Sequence, residues 1–213
     1  MNNHFIIKNK NYLICLLWIF AINFCLSIFL YTENRVLINN FFSELFDINS
    51  EDSLEGEIYL SEDKITSYHE SGHAIITLLY PEYFEFVGVT IKPYGAILGH
   101  CDFQIKKRNW QAESLVSFGG TSSESLLAKR KQIPKDKVGK GSGSDHANVS
   151  FLVQSHSTTP EKDYDRLHKE CQKLIELNQT TLTKIAEKLF IKKTLLLKDI
   201  EDILKKYPLQ KNI

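Results

Sequence analysis

The segment His69-Glu70-Ser71-Gly72-His73 concentrates the residue types that hold and use a divalent metal. On a helix, residues four apart stack on one face, with Cβ atoms about 6 Å apart. Two imidazole nitrogens so placed can reach one Zn2+ at roughly 2.0–2.1 Å. Glu70 follows the first histidine and would project beside the metal, where a carboxylate can take a proton from bound water. Zinc lowers the pKa of that water to about 7, and the same carboxylate can then protonate a leaving amine. The chemistry this predicts is zinc-dependent peptide hydrolysis, with His69 and His73 as ligands and Glu70 as the catalytic base. The same residues on a purely structural helix are the competing reading, because H-E-x-x-H is short. Ser71, Gly72 and Ala74 weigh against it. They are small enough to admit a metal, a substrate or a second helix, and a mid-helix glycine lowers stability without such a reason.

A catalytic zinc needs a third protein ligand and leaves its fourth position to water. The metzincin pattern would need a histidine where this chain has Leu79, so that class is excluded. Spacing alone leaves Glu113, Glu124 and Asp145 open as the third ligand.

The elements that must position these residues follow from local pattern. Ser61-Glu62-Asp63 reads as a helix start, and Pro81 stops the helix after about Leu79. Val87, Val89 and Ile91 alternate as in a strand, Pro93-Tyr94-Gly95 supplies a turn, and Ala96-Ile97-Leu98 reads as the return strand. Trp110 to about Lys129 reads as a helix interrupted by Gly119-Gly120. That pair costs roughly 1 kcal/mol per glycine and implies close packing of a neighbouring backbone. Residues 131–144 form a Lys/Gly/Ser loop, and helical pattern resumes at Asp145. From Pro160, Leu167, Cys171 and Leu174, then Leu182, Ile185 and Leu189, recur at three and four. They predict a long helical tail, a break near 192–194 and a last helix to about Lys206. The expected fold is mainly α with a small β-hairpin or sheet.

The chain has 213 residues, enough for one well-buried domain and a short extra segment. Its 26 basic and 26 acidic residues cancel, so nothing in the charge asks for a nucleic-acid partner. The Lys-rich stretch from Lys129 to Lys140 reads as a solvated loop. Cys15, Cys25, Cys101 and Cys171 form no C-x-x-C pair, which supports neither a disulfide framework nor a thiolate zinc cluster. Residues 12–31 run without a charge, long enough for a helix of roughly 30 Å, the thickness of a bilayer core. Tyr12 and Tyr31 sit where interface anchors belong. A cleaved signal peptide is the competing reading, but the run ends in Ile28-Phe29-Leu30-Tyr31 with no small-x-small site. The expected layout is a tail at 1–11, a transmembrane helix at 12–31, an acidic linker at 32–60, a zinc metallopeptidase domain at 61–207 and a tail at 208–213. Lys8 and Lys10 before the span, with acids after it, place the N-terminus in the cytoplasm.

Several segments together resemble a known family. Tyr68-His69-Glu70-Ser71-Gly72-His73-Ala74 is similar to the Y-H-E-A-G-H-A motif of the FtsH-type, membrane-bound, ATP-dependent zinc proteases. Val89-Thr90-Ile91-Lys92-Pro93 with Gly95 and Leu98-Gly99 resembles the family's V-T-I-x-P-R-G…L-G-Y. Phe118 to Glu124 resembles L-G-G-R-A-A-E, and Gly141 to Asp145 resembles T-G-A-S-N-D. The tail from Leu182 to Leu189 with Lys193-Thr194-Leu195 resembles L-x-x-L-A-x-x-L…E-T-L. The resemblance spans about 61–207. It implies an FtsH-like helical zinc peptidase domain preceded by one transmembrane helix, with Asp145 as the third zinc ligand. Glu124 falls on an acidic position of the glycine-glycine segment, where it either orients a histidine or is a plain surface acid. By analogy, the strand around Val87–Ile91 would bind an extended substrate by edge addition.

Departures from the family pattern shape the functional expectation. Thr121 stands where the family has arginine, and Ser144 where it has asparagine. The family carries an ATPase module before the peptidase, whereas 60 residues precede the domain here. Gly139-Lys140-Gly141-Ser142 lacks phosphate-loop spacing, so no ATP binding is expected. The expected activity is a membrane-anchored zinc metalloendopeptidase that acts on polypeptides without its own ATPase. The alternative is a non-catalytic accessory or regulatory subunit of an ATP-dependent membrane protease. Either a homo-oligomer or association with a full-length ATPase-protease fits the resemblance. The family implies a peptidase on the cytoplasmic side, opposite to the charge bias, so the side of the membrane stays open.

Overall fold

The computed structural model describes residues 59–211 apart from Ala96. These residues belong to one compact unit, Glu57–Ile213. The expected span at 12–31 lies outside the described residues, as does the linker up to 58. Among the described residues, no helix is long and apolar enough to cross a membrane.

Helix α1 runs Glu62–Leu79. The Ser61 carbonyl accepts the Lys64 and Ile65 amides, and Glu62 and Asp63 complement the positive end of the helix dipole. Pro81, without an N–H, ends it. From Tyr68 to Leu79 the helix is buried on almost every side, which makes it the axis of the core. Around it pack α2 (Trp110–Lys129), α4 (Pro160–Leu177) and α5 (Gln179–Lys192). They supply Leu115, Leu127, Leu174, Ile175, Leu182, Ile185 and Leu189. Helix α3 (Gly143–His156) lies against α2 and α4 and begins slightly earlier than the expected Asp145.

Strands β1 (Phe84–Thr90), β2 (His100–Ile105) and β3 (Thr194–Leu196) form an antiparallel sheet in the order β2-β1-β3. The fold is thus mainly α with a small sheet. A bulge between Phe86 and Gly88 breaks the alternation expected of β1, so Val87 is 44% exposed while Val89 and Ile91 are buried. The return strand begins at His100 rather than at Ala96. Tyr94 and Ile97 close the turn by an isolated bridge, which delays pairing.

The tail contains two helices where one was expected. Asn178 separates α4 from α5: its Nδ2 donates to the Leu174 and Gln210 carbonyls, and its Oδ1 accepts the Gln210 amide. Lys193 then adopts a left-handed φ of 64° and donates its amide to Leu189 O, which turns the chain into β3. Helix α6 (Leu197–Leu204) follows.

Candidate metal centre

The α1–α2 crossing sets the site's dimensions. A Cβ on Gly72 would lie 2.1 Å from Gly119 O, and one on Gly119 would lie 2.6 Å from Gly72 O. The two backbones therefore touch, which is the close approach that the glycines predicted. A Cβ on Gly120 would lie 2.4 Å from His69 Nε2, so that glycine seats the imidazole.

At this separation α2 can fix both histidines. His69 Nδ1 donates to Glu124 Oε1 at 2.7 Å, and His73 Nδ1 donates to the Val116 carbonyl at 2.7 Å. Both partners are acceptors only, so each Nδ1 carries a hydrogen and each Nε2 is left to face the cleft. Glu124, only 3% exposed, also accepts the Gly139 amide on Oε2 at 2.6 Å, and Gly139 takes a φ of +76° to offer it. Of the two readings of Glu124, the structure supports the orienting one.

Asp145 enters from the first turn of α3. Its Oδ2 lies 3.4 Å from His69 Nε2 and 3.6 Å from His73 Nε2, and the two Nε2 atoms are 3.1 Å apart. A tetrahedral zinc with bonds of roughly 2.0–2.1 Å has ligand–ligand edges of about 3.3–3.4 Å. The three distances bracket that edge, so the donor set fits zinc in both type and size. Its electrostatics are those of a cation site. His69 is pushed up to about 10: burial opposes the charged ring, but the carboxylates of Asp145, Glu124 and Glu70 outweigh it. The Asp145 carboxyl is held well below the usual range, because hydrogen bonds and charge from both histidines overcome its burial.

Glu113 is engaged elsewhere. It accepts the Asn109 amide and the Arg108 guanidinium while Asn109 caps Ala112, so it belongs to the α2 cap. Glu70 is 6% exposed and packs under Gly99, whose Cβ would stand 2.8 Å from Glu70 Cγ. Burial pushes its carboxyl above the ordinary value, with the positive charge of His73 and His69 opposing. A carboxylate so placed holds a proton more readily than one in water.

His69, Glu70, His73 and Asp145 line one cleft of about 550 Å³, to which Ile65, Ile97, Leu98 and Phe103 add apolar walls. The strand expected to accept a substrate at its edge does not have one. β1 is the central strand, paired with β2 on one side and β3 on the other. β2 stands at the sheet edge instead, and its His100, Cys101 and Phe103 line the cleft. Sequence reasoning did not find Val116, Gly139 or Gly99. Gly99 and Gly139 stood in segments already singled out for other reasons, and a backbone carbonyl such as that of Val116 leaves no mark in sequence.

Residues 57–159 match the sequence profile of peptidase family M41. Human ATP-dependent zinc metalloprotease YME1L1 is 32% identical over 97 residues, covering 42% of this chain and 12% of that protein. ATP-dependent zinc metalloprotease FTSH 11, chloroplastic/mitochondrial, of Arabidopsis thaliana is 32% identical over 106 residues, covering 46% and 12%. ATP-dependent zinc metalloprotease FtsH of Cupriavidus metallidurans is 38% identical over 73 residues, covering 31% and 11%. The chain thus spans about an eighth or less of the length of these relatives.

Proposed function

We propose that this chain, whose residues 57–159 match peptidase family M41, is a zinc metalloendopeptidase of the H-E-x-x-H type. His69, His73 and Asp145 hold the metal and Glu70 is the catalytic base. The observation that carries this reading is the convergence of His69 Nε2, His73 Nε2 and Asp145 Oδ2 within 4.8 Å of one another, beside a buried glutamate.

Bound Zn2+ supplies Lewis-acid polarisation and a water acidified to a pKa of about 7. Glu70 takes the proton of the attacking water on its carboxylate and returns it to the departing amine nitrogen. Its raised pKa suits both directions of that transfer. Glu124 and the Val116 carbonyl keep the two rings in one tautomer and one orientation. An extended polypeptide adds to the edge of β2, which brings its backbone along the cleft and its side chains against Ile97, Leu98 and Phe103. The charge-free run at 12–31 anchors the domain 61–207 to a membrane.

Two measurements test the reading. Purified protein should contain one zinc per chain, and Asp145→Ala should bind it far more weakly. Glu70→Gln should retain zinc yet fail to hydrolyse a casein-like substrate that the wild type cleaves. Cleavage by Glu70→Gln would refute the base assignment. A folded wild type without zinc would favour the non-catalytic accessory role instead.

A further inference from the structure

Asp145 is placed less securely than the two histidines. Its helix, α3, buries only Val149, Leu152 and Val153, and the N-cap residue Ser142 makes no side-chain cap bond. The Asp145 carboxylate is 26% exposed, and its ion-pair partners are the histidines it would share a metal with. Something other than the core must hold the first turn of α3 at the right distance.

The next residue does so. His146 Nδ1 lies 2.6 Å from the Tyr164 hydroxyl on α4, and its Nε2 lies 3.2 Å from the Thr121 hydroxyl on α2. The buried Phe118 ring stands edge-on to His146 at 5.9 Å and to Tyr164 at 5.0 Å. An imidazole with both nitrogens bonded to different helices and an aromatic ring against its side has one rotamer available. The His146 amide also bonds to the Ser142 carbonyl at 3.0 Å, which closes the turn that contains Asp145. Thr121 is one of the positions where this chain departs from the family pattern, and its hydroxyl is what His146 meets.

We infer that His146, pinned between Thr121 and Tyr164, is the positioning residue that sets Asp145 as the third metal ligand. This rests on the zinc site proposed above. His146 touches neither metal nor substrate. It acts by fixing the backbone one peptide away, as an outer partner of the ligand set.

The test is a competitive chelator titration of Zn2+ on the full chain. The proteins compared are wild type, His146→Ala, Asp145→Ala and the double variant. His146→Ala should weaken zinc binding about 10–100-fold, the range for outer-shell partners. In the Asp145→Ala background it should have no further effect, because the ligand it positions is gone. Tyr164→Phe and Thr121→Val each remove a single hydroxyl. They should weaken binding in the same direction by less, which keeps the test open should His146→Ala not fold. Equal losses with and without Asp145 would mean general loosening and would overturn the inference. So would unchanged affinity in His146→Ala, Tyr164→Phe and Thr121→Val alike. A folded wild type that binds no zinc would instead overturn the site on which the inference stands.

Discussion

Gly72→Ala probes the contact on which the site is built. The added methyl would lie 2.1 Å from Gly119 O, 2.2 Å from Ser123 Oγ and 2.6 Å from Gly119 C. An ordinary contact needs roughly 3.5 Å, so α2 must retreat by on the order of 1 Å. Ser123 can rotate, but the Gly119 carbonyl is helix backbone and cannot. Nor is there open space behind it, because α2 also packs against α4. Overpacking of this kind costs about 1–3 kcal/mol and occasionally more. Against it stands a gain of about 1 kcal/mol from replacing a mid-helix glycine by alanine. With the clash on backbone the upper part of the range applies, so the expected net loss is about 1–2 kcal/mol. For a domain of this size that lowers Tm by roughly 2–8 °C. Urea and thermal unfolding would measure it, with Gly143→Ala as the control. Gly143 is also helical, but its Cβ would meet nothing within 4 Å, so the same substitution there should be neutral or slightly stabilising. A Gly72→Ala protein as stable as wild type would refute the claim that the two backbones are in contact.

Other consequences can be checked separately. Glu124→Ala should weaken zinc binding about 10–100-fold in chelator competition, since His69 loses the acceptor that fixes its tautomer; unchanged affinity would remove Glu124 from the site. Glu113→Ala should lower unfolding stability by about 1 kcal/mol through the α2 cap while leaving zinc affinity untouched, and a fall in zinc affinity would contradict its assignment to the cap. Burial pushes the Cys171 thiol up to about 12, so the thiolate is scarce at pH 8. Mass-spectrometric mapping after iodoacetamide treatment should find Cys171 unmodified in native protein and modified after denaturation; rapid native labelling would show that the α2–α4 contact opens.

The motif and the two helices that face each other were legible because their signals are local. The spacing of His69 and His73 needs only the helical period, and Ser61 and Pro81 mark the ends of α1 within a few residues of it. Gly119-Gly120 announced a close crossing but not its partner. The break at Asn178 was hidden because apolar spacing runs on through it, from Leu174 to Leu182. What makes the break is a pair of hydrogen bonds to Gln210, far along the chain. β3 was hidden for a similar reason: it is three residues long and pairs with β1 from the other end of the domain. Spacing could not choose among Glu113, Glu124 and Asp145, since the choice depends on how α3 crosses α2. Glu113 was no more legible: it reaches back to the Asn109 amide from four residues on, one more than a capping box places between them.

The three proposed ligands differ in what holds them. His69 and His73 stand on the buried axis of the core, and their partners Glu124 and Val116 stand on the helix in backbone contact with it. Their separation is therefore the same quantity as the packing of α1 on α2, and no change to one leaves the other alone. Asp145 stands on a helix with few buried residues, tied at its first turn by His146 and at the next by Asn148, whose Nδ2 donates to Ser117 Oγ at 2.8 Å. Loosening that helix moves a ligand without opening the core. Substitutions at the glycine crossing should thus lower stability and metal affinity together, while substitutions at the α3 ties should lower metal affinity alone. A panel plotted on those two axes would fall along two lines of different slope. A single line through all variants would mean that α3 is as much a part of the core as α1, and the division of labour among the ligands would be wrong.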